Sequence, residues 1–200
     1  PGHIGGPCGL DALTHAVESL TNLFANPFTD ALNLHAVRLI EENLREACAN
    51  DRNIEATNNM LIASCLAGMA FWQTRLSNVH AMSHPVSGHY DVPHGIANAI
   101  LLPHVMEFNL IGNIPKFIQI AAAMHQDVSI PDRMEAARRS ADAVRKLMTD
   151  LDIPQRLRDV GVPEEGIAVL AVDSMKSANV TFNPRKTTID DVIKVFKAAY

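Results

Sequence analysis

Nine histidines are the first feature of this sequence that could do chemistry, and four of them, His80, His84, His89 and His94, fall within fifteen residues. Neutral imidazole is a common nitrogen ligand for divalent transition metals and a proton carrier near neutral pH. The segment holding the four reads SNVHAMSHPVSGHYDVPHGIANAILLPH, in which Pro85, Gly88, Pro93 and Gly95 interrupt a helical pattern. His80 and His84 share a helix face, Pro85 strains or ends that helix, and the turn from Gly88 to Pro93 brings the chain back so that His94 opens the next one. Upstream, Asp11 and His15 are four residues apart, so about 40° separates their directions and both occupy one stripe of a helix. Leu13, Val17 and Leu20 point elsewhere on that helix.

Each half has an ordinary reading as well. An Asp and a His at this spacing also make a surface ion pair, and histidines also sit exposed or satisfied within a core, which is the reading for His3, His35, His104 and His125. Taken together, Asp11, His15, His80 and His94 form a set of one carboxylate and three imidazoles, which suits Fe(II) or Zn(II) with a position open to substrate or water rather than a closed structural site. His84, close to two of them, is placed to support a ligand or move a proton.

The elements that must position these residues are helices. Apolar residues recur at helical spacing at Leu13, Val17, Leu20 and Phe24, at Leu32, Ala36, Ile40, Leu44 and Ala47, and at Leu61, Cys65, Met69 and Trp72. Ala63, Ser64, Ala67 and Gly68 would let a neighbouring backbone approach the third of these helices. Met134, Ala137, Ala141, Val144, Met148 and Leu151 mark the most regular amphipathic helix, and shorter ones follow around 163–178 and 189–199. Starts fall at Thr29 or Asp30 after Pro27, at Asp51 or Asn53, and at Ser129 before Pro131. No alternating β-branched run is bounded by turns, so the fold class is all-α, a multi-helix bundle. Residues 1–7, with three glycines and two prolines, read as an irregular lead-in or an expression remnant, leaving 8–200 as a single helical metal-binding domain.

Composition closes off other classes. Seventeen basic against 22 acidic residues give a formal charge of −5, with no basic stripe, which disfavours nucleic-acid binding. No apolar run is long enough to cross a bilayer and no secretory signal opens the chain. Cys8, Cys48 and Cys65 are an odd number at no metal-ligand spacing, which fits free thiols in a reducing, cytoplasmic compartment.

GLDALTHAVE at 9–18, AGMAF at 67–71, HAMSHPVSGHYDVPHGIANAILLPHVMEFN at 80–109 and NPR at 183–185 together resemble the C-terminal helical domain of the iron-containing, or group III, alcohol dehydrogenases. The resemblance runs in order from about residue 8 to the end of the chain. It implies a dehydroquinate synthase-like helical bundle, metal ligands at Asp11, His15, His80 and His94, and His84 between metal and nicotinamide. It also implies that Phe71 faces the substrate pocket. Members of the family carry an N-terminal nucleotide-binding domain, and the cluster Gly2, Gly5, Gly6 and Gly9 neither follows a strand nor fits its glycine-rich turn.

The resemblance therefore implies the metal-binding half of an enzyme that oxidises an alcohol, or reduces an aldehyde or ketone, with NAD or NADP, the metal polarising the alcohol oxygen. Without the N-terminal nucleotide-binding domain the chain is expected to be inactive, and an exposed apolar cleft wall would favour a homo-oligomer. Two other readings stand beside it: a free-standing helical metallohydrolase, with Glu18 as the available general base, and a catalytically silent helical bundle.

Overall fold

The computed structural model describes residues 2–200 and is helical throughout, with no strand among the described residues. The α-helices are α1 (Gly2–Thr21), α2 (Pro27–Ala49), α3 (Ile54–Thr74), α4 (Asn78–Tyr90), α5 (His94–Asn109), α6 (Ile114–Ala123), α7 (Arg133–Asp150), α8 (Ile167–Ser174) and α9 (Ile189–Ala198). Short 3-10 turns lie at 110–112, 157–160, 164–166 and 178–182. None of the described helices is long and apolar enough to cross a membrane.

The bundle is organised around α1, which packs on α2, α3 and α5 and buries Leu10, Leu13, Val17 and Leu20. This helix begins at Gly2, so the irregular lead-in expected over 1–7 is instead its first turns; Pro1 lies outside the described residues. Glycines in these first turns and just after them are contact points. A Cβ on Gly6 would meet Ile153 Cδ1 at 3.4 Å, and one on Gly9 would run into Leu44 of α2. Close approach of neighbouring elements overrides the poor helix propensity of the segment.

Helix α2 starts one turn earlier than expected. Asn26 is its cap: the Asn26 side chain accepts from Phe28 N and Thr29 N while Thr29 Oγ1 accepts from Asn26 N, with Pro27 at the first helical position. Asn53 caps α3 as expected, whereas α7 is capped by Asp132, not Ser129.

The largest departure concerns α3. Its buried residues are Ala56, Ala63, Ala67, Ala70 and Thr74, while Leu61, Cys65, Met69 and Trp72, the stripe expected to face inward, are exposed, Trp72 by 77%. Small side chains win the inward position because α3 lies close against α1 and α2. Ser19 of α1 receives Asn33 Nδ2 of α2 at 2.8 Å and Thr74 Oγ1 of α3 at 2.9 Å, a buried polar link that sets the rotation of all three helices. Gly68 plays no part in this approach, since a Cβ there would meet nothing within 4 Å.

Helix α4 passes through Pro85 without ending, its Ala81, Met82 and Val86 packed in the core. It stops at Asp91, whose left-handed backbone (φ 53°) turns the chain so that Pro93 caps α5 and His94 opens it. The far end of α5 is locked to the C-terminal third. Asn109 and Asn183 exchange amide hydrogen bonds at 2.8 and 2.7 Å, and Arg185 lies over the Phe108 ring at 4.1 Å while donating to Phe108 O. The NPR stretch thus fixes the helix that carries His94, from its opposite end. The α7 face expected from periodicity buries Ala137, Ala141, Val144 and Met148.

Candidate metal centre

Three helices bring the expected ligand set together. Asp11 and His15 come from the middle of α1, His80 from the first turn of α4, and His94 from the first residue of α5. The ligand atoms of Asp11, His15 and His80 lie within 4.8 Å of one another. Asp11 Oδ1 is 3.8 Å from His80 Nε2 and 3.7 Å from His94 Nε2, and Asp11 Oδ2 is 4.0 Å from His15 Nδ1. Atoms bonded to one cation at about 2.0–2.2 Å are separated by distances of this size. His80 is buried, Asp11 and His15 are half-buried, and His94 is the most open, so the set has a protein side and an open side.

Aromatic stacking orders the rings. Phe71 of α3 stacks on His15 at 4.6 Å between centroids, and His15 stacks on His80 at 4.7 Å. His84, one turn beyond His80, stands edge-on to it at 5.9 Å and stacks on His94 at 5.4 Å. Phe71 and His84 therefore flank the cluster from different helices. Burial and the neighbouring His80 together push the His15 pKa down to about 4; burial also lowers those of His84 and His94. A lowered pKa favours the neutral ring with its free lone pair, the form that ligation requires.

His80 is oriented from behind. Its Nδ1 lies 2.6 Å from Glu18 Oε2, with both side chains buried, and Glu18 Oε1 accepts the Val79 N–H at 2.6 Å. Ser77, the cap of α4, makes no side-chain cap bond, so Glu18 of α1 does the capping from outside the helix. The same carboxylate holds a proton on His80 Nδ1 and leaves the Nε2 lone pair on the side of Asp11 and His94, the arrangement in which a carboxylate supports a metal-binding imidazole. Glu18 is thereby engaged through both oxygens and faces away from the open side, which removes it as the general base of a hydrolytic site.

The site also contains Asn98, one turn after His94, a residue to which the sequence reading attached no role. Its Nδ2 donates to Asp11 Oδ1 at 2.6 Å and lies 3.0 Å from His94 Nε2 and 3.2 Å from His80 Nε2. Helical spacing carried the signal for both: Asp11, His15 and Glu18 occupy one stripe of α1, and His94 and Asn98 one stripe of α5. The remaining histidines stand apart. His89 pairs with Asp173 at 2.7 Å, His125 with Glu42 at 2.9 Å, His35 is exposed and His104 is partly buried, while the His3 side chain lies outside what the structure describes.

The description of the Fe-containing alcohol dehydrogenase family, C-terminal part, matches residues 7–200. The chain belongs to the iron-containing alcohol dehydrogenase family. It is 44% identical over 200 residues to a 1,3-propanediol dehydrogenase of Klebsiella pneumoniae, covering 100% of this chain and 52% of that protein. To an NAD-dependent methanol dehydrogenase of Bacillus methanolicus it is 38% identical over 191 residues, covering 96% and 50%. Among solved structures it is similar to an alcohol dehydrogenase from Oenococcus oeni, with a TM-score of 0.98 at 39% identity, covering 100% of this chain and 52% of that one. The chain spans about half the length of these relatives. The observed helical bundle is the fold expected of this part of an iron-containing alcohol dehydrogenase.

Proposed function

We propose that residues 8–200 form the metal-binding helical domain of an NAD(P)-dependent alcohol dehydrogenase, and that Asp11, His15, His80 and His94 hold one divalent cation, Fe(II) or Zn(II). The observation that carries this reading is the convergence of Asp11 Oδ1, His80 Nε2 and His94 Nε2, with His15 beside them, at separations that one ion spans. The donor set fits such an ion: one carboxylate and three imidazoles, with burial favouring the neutral form of His15 and His94, and an open side. A cation bound there supplies Lewis acidity to the oxygen of an alcohol or carbonyl, and a nicotinamide on a separate N-terminal domain supplies hydride chemistry.

The chain's own residues do the rest. Glu18 fixes the tautomer of His80, and Phe71, stacked on His15, forms an apolar wall that limits water beside the cluster and faces the substrate. His84, half-exposed between His94 and solvent, takes up the hydroxyl proton on the oxidative direction and returns it on the reductive one. The substrate class is a small alcohol or its aldehyde or ketone, supported by the 1,3-propanediol dehydrogenase and methanol dehydrogenase relatives. Turnover draws on a nucleotide-binding half as well as on this helical domain. Three free thiols support a reducing, cytoplasmic setting.

The test is elemental analysis of anaerobically purified chain beside Asp11→Ala and His94→Ala. About one equivalent of iron or zinc in the parent, lost in both variants, is the expected result. Equal metal in the parent and both variants overturns the ligand assignment. His84→Ala should retain the metal and, joined to a nucleotide-binding half, turn over more slowly; loss of metal instead would make His84 a ligand.

A further inference from the structure

Asn98 is fully buried, and its position is unusual for an amide. One nitrogen, Nδ2, faces three polar atoms at once: Asp11 Oδ1 at 2.6 Å, His94 Nε2 at 3.0 Å and His80 Nε2 at 3.2 Å. An amide nitrogen carries only two protons, so the three contacts cannot all be satisfied together. The oxygen at the other end, Oδ1, is buried with no hydrogen-bond partner. Turning the amide over would not help, because it would set Oδ1 against the Asp11 carboxylate at the shortest of the three distances. His80 cannot relieve the crowding by donating, since its Nδ1 proton is committed to Glu18 at 2.6 Å and its Nε2 carries the lone pair.

The three atoms are the same ones that the ligand reading assigns to the cation. An ion bonded to all three at about 2.0–2.2 Å and a nitrogen whose N–H bonds point among them need the same space. We propose that Asn98 is a resident competitor for the metal: its amide holds Asp11, His80 and His94 together in the ion-free protein and must swing aside for the cation to enter. This rests on the reading of Asp11, His80 and His94 as ligands. It gives the unpartnered Oδ1 a reason, since an amide that must rotate on loading cannot also be tied down at its far end. It also keeps the mutually repelling lone pairs of a carboxylate and two imidazoles from driving the helices apart before metal arrives.

The probe is Zn(II), which is diamagnetic and has no redox chemistry, added to the full chain and to Asn98→Ala. In the ion-free state the variant should unfold at a lower temperature, because the bridging donor is gone. Its dissociation constant for Zn(II), from competition with a chromophoric chelator, should nevertheless be about tenfold lower than the parent's, because no charge-assisted hydrogen bond has to break first. In the 15N-labelled parent, the Asn98 side-chain amide pair should shift strongly on Zn(II) addition, a readout that does not depend on the variant folding. Parent-like or weaker binding by Asn98→Ala, or an amide pair that does not move on loading, overturns the competitor role while leaving the ligands standing. If the parent takes up no Zn(II) above the level of Asp11→Ala, the ligand reading fails and the competitor role falls with it.

Discussion

Replacing Glu18 by Gln changes one buried atom and should disturb both the fold and the metal centre. Glu18 Oε1 accepts the Val79 N–H at 2.6 Å and Oε2 faces His80 Nδ1 at 2.6 Å, with Glu18 3% and His80 2% exposed. A glutamine must present its NH2 to one of the two. If it faces Val79, two donors meet in a buried space. If it faces His80, Nδ1 must become the acceptor, and the proton moves to Nε2, the atom aimed at Asp11 Oδ1 3.8 Å away. Either arrangement loses a charge-assisted hydrogen bond or leaves a buried donor unpaired, a cost of about 2–4 kcal/mol. Thermal unfolding of the ion-free chain should therefore begin well below the parent. Metal affinity should fall about 10–100-fold, the range seen when the partner of a ligating histidine is removed. A Zn(II) competition titration reads the second effect, and the 15N shifts of the His80 ring read the tautomer directly. A Glu18→Gln chain that binds Zn(II) within twofold of the parent, with the His80 proton still on Nδ1, would refute the claim that Glu18 sets the ring.

Gly95→Ala would place a Cβ 2.5 Å from Pro7 O and 2.8 Å from Pro7 C, atoms of a backbone that cannot step aside alone. Helices α1 and α5 must then part next to His94, at a cost of about 1–3 kcal/mol, and both the melting temperature and Zn(II) retention should drop. Gly88→Ala is the matched control, because a Cβ there meets nothing within 4 Å and the gain in helix propensity should stabilise α4 by up to about 1 kcal/mol. The pH response of the ion-free chain follows from His15. Its pKa is about 4 in the folded chain against 6.5 for the unperturbed side chain, so the unfolded chain binds the extra proton first. Stability should be full above pH 6.5 and fall as the pH drops toward 4, by roughly 3 kcal/mol from this residue, with His84 and His94 acting in the same direction. Urea midpoints that are equal at pH 7.5 and pH 5 would contradict this.

Helical periodicity placed the bundle elements well wherever a helix has one polar and one large apolar face, as α7 does with Ala137, Ala141, Val144 and Met148 turned inward. The clustering of candidate residues was equally readable, because spacings of four put Asp11 with His15 and His80 with His84 on common faces before any tertiary structure is known. Three features were not legible, each because a neighbour decides the outcome. Gly5 and Gly6 look like breaks until Cys48 and Ile153 are seen packed beside them. The phase of α3 follows size rather than hydrophobicity, since only its alanine side lets the Ser19, Asn33 and Thr74 link close. Pro85 stays within α4 because core packing of Met82 and Val86 holds the helix on either side of it. Glu18 and Asn98 stand at ligand-like offsets on their own helices, yet their partners lie 62 and 87 residues away, on other helices. Local spacing offers such residues as candidates, and only the crossing of helices decides what they touch.

The inward alanines of α3 act as a shim. Ala63, Ala67 and Ala70 set the thickness of the layer between α3 and its neighbours, and that thickness fixes how far Phe71 reaches over His15. A single added methylene at Ala67 would push the whole rod outward and lift the Phe71 ring from the imidazole without any substitution in Phe71 or the histidine cluster. The spacing between Phe71 and the histidine cluster would then be adjustable from the back of the helix, by residues that touch none of the cluster. Trp72 and Met69, facing outward, would ride along with the shift unopposed, so this gauge can be reset without repacking a second core.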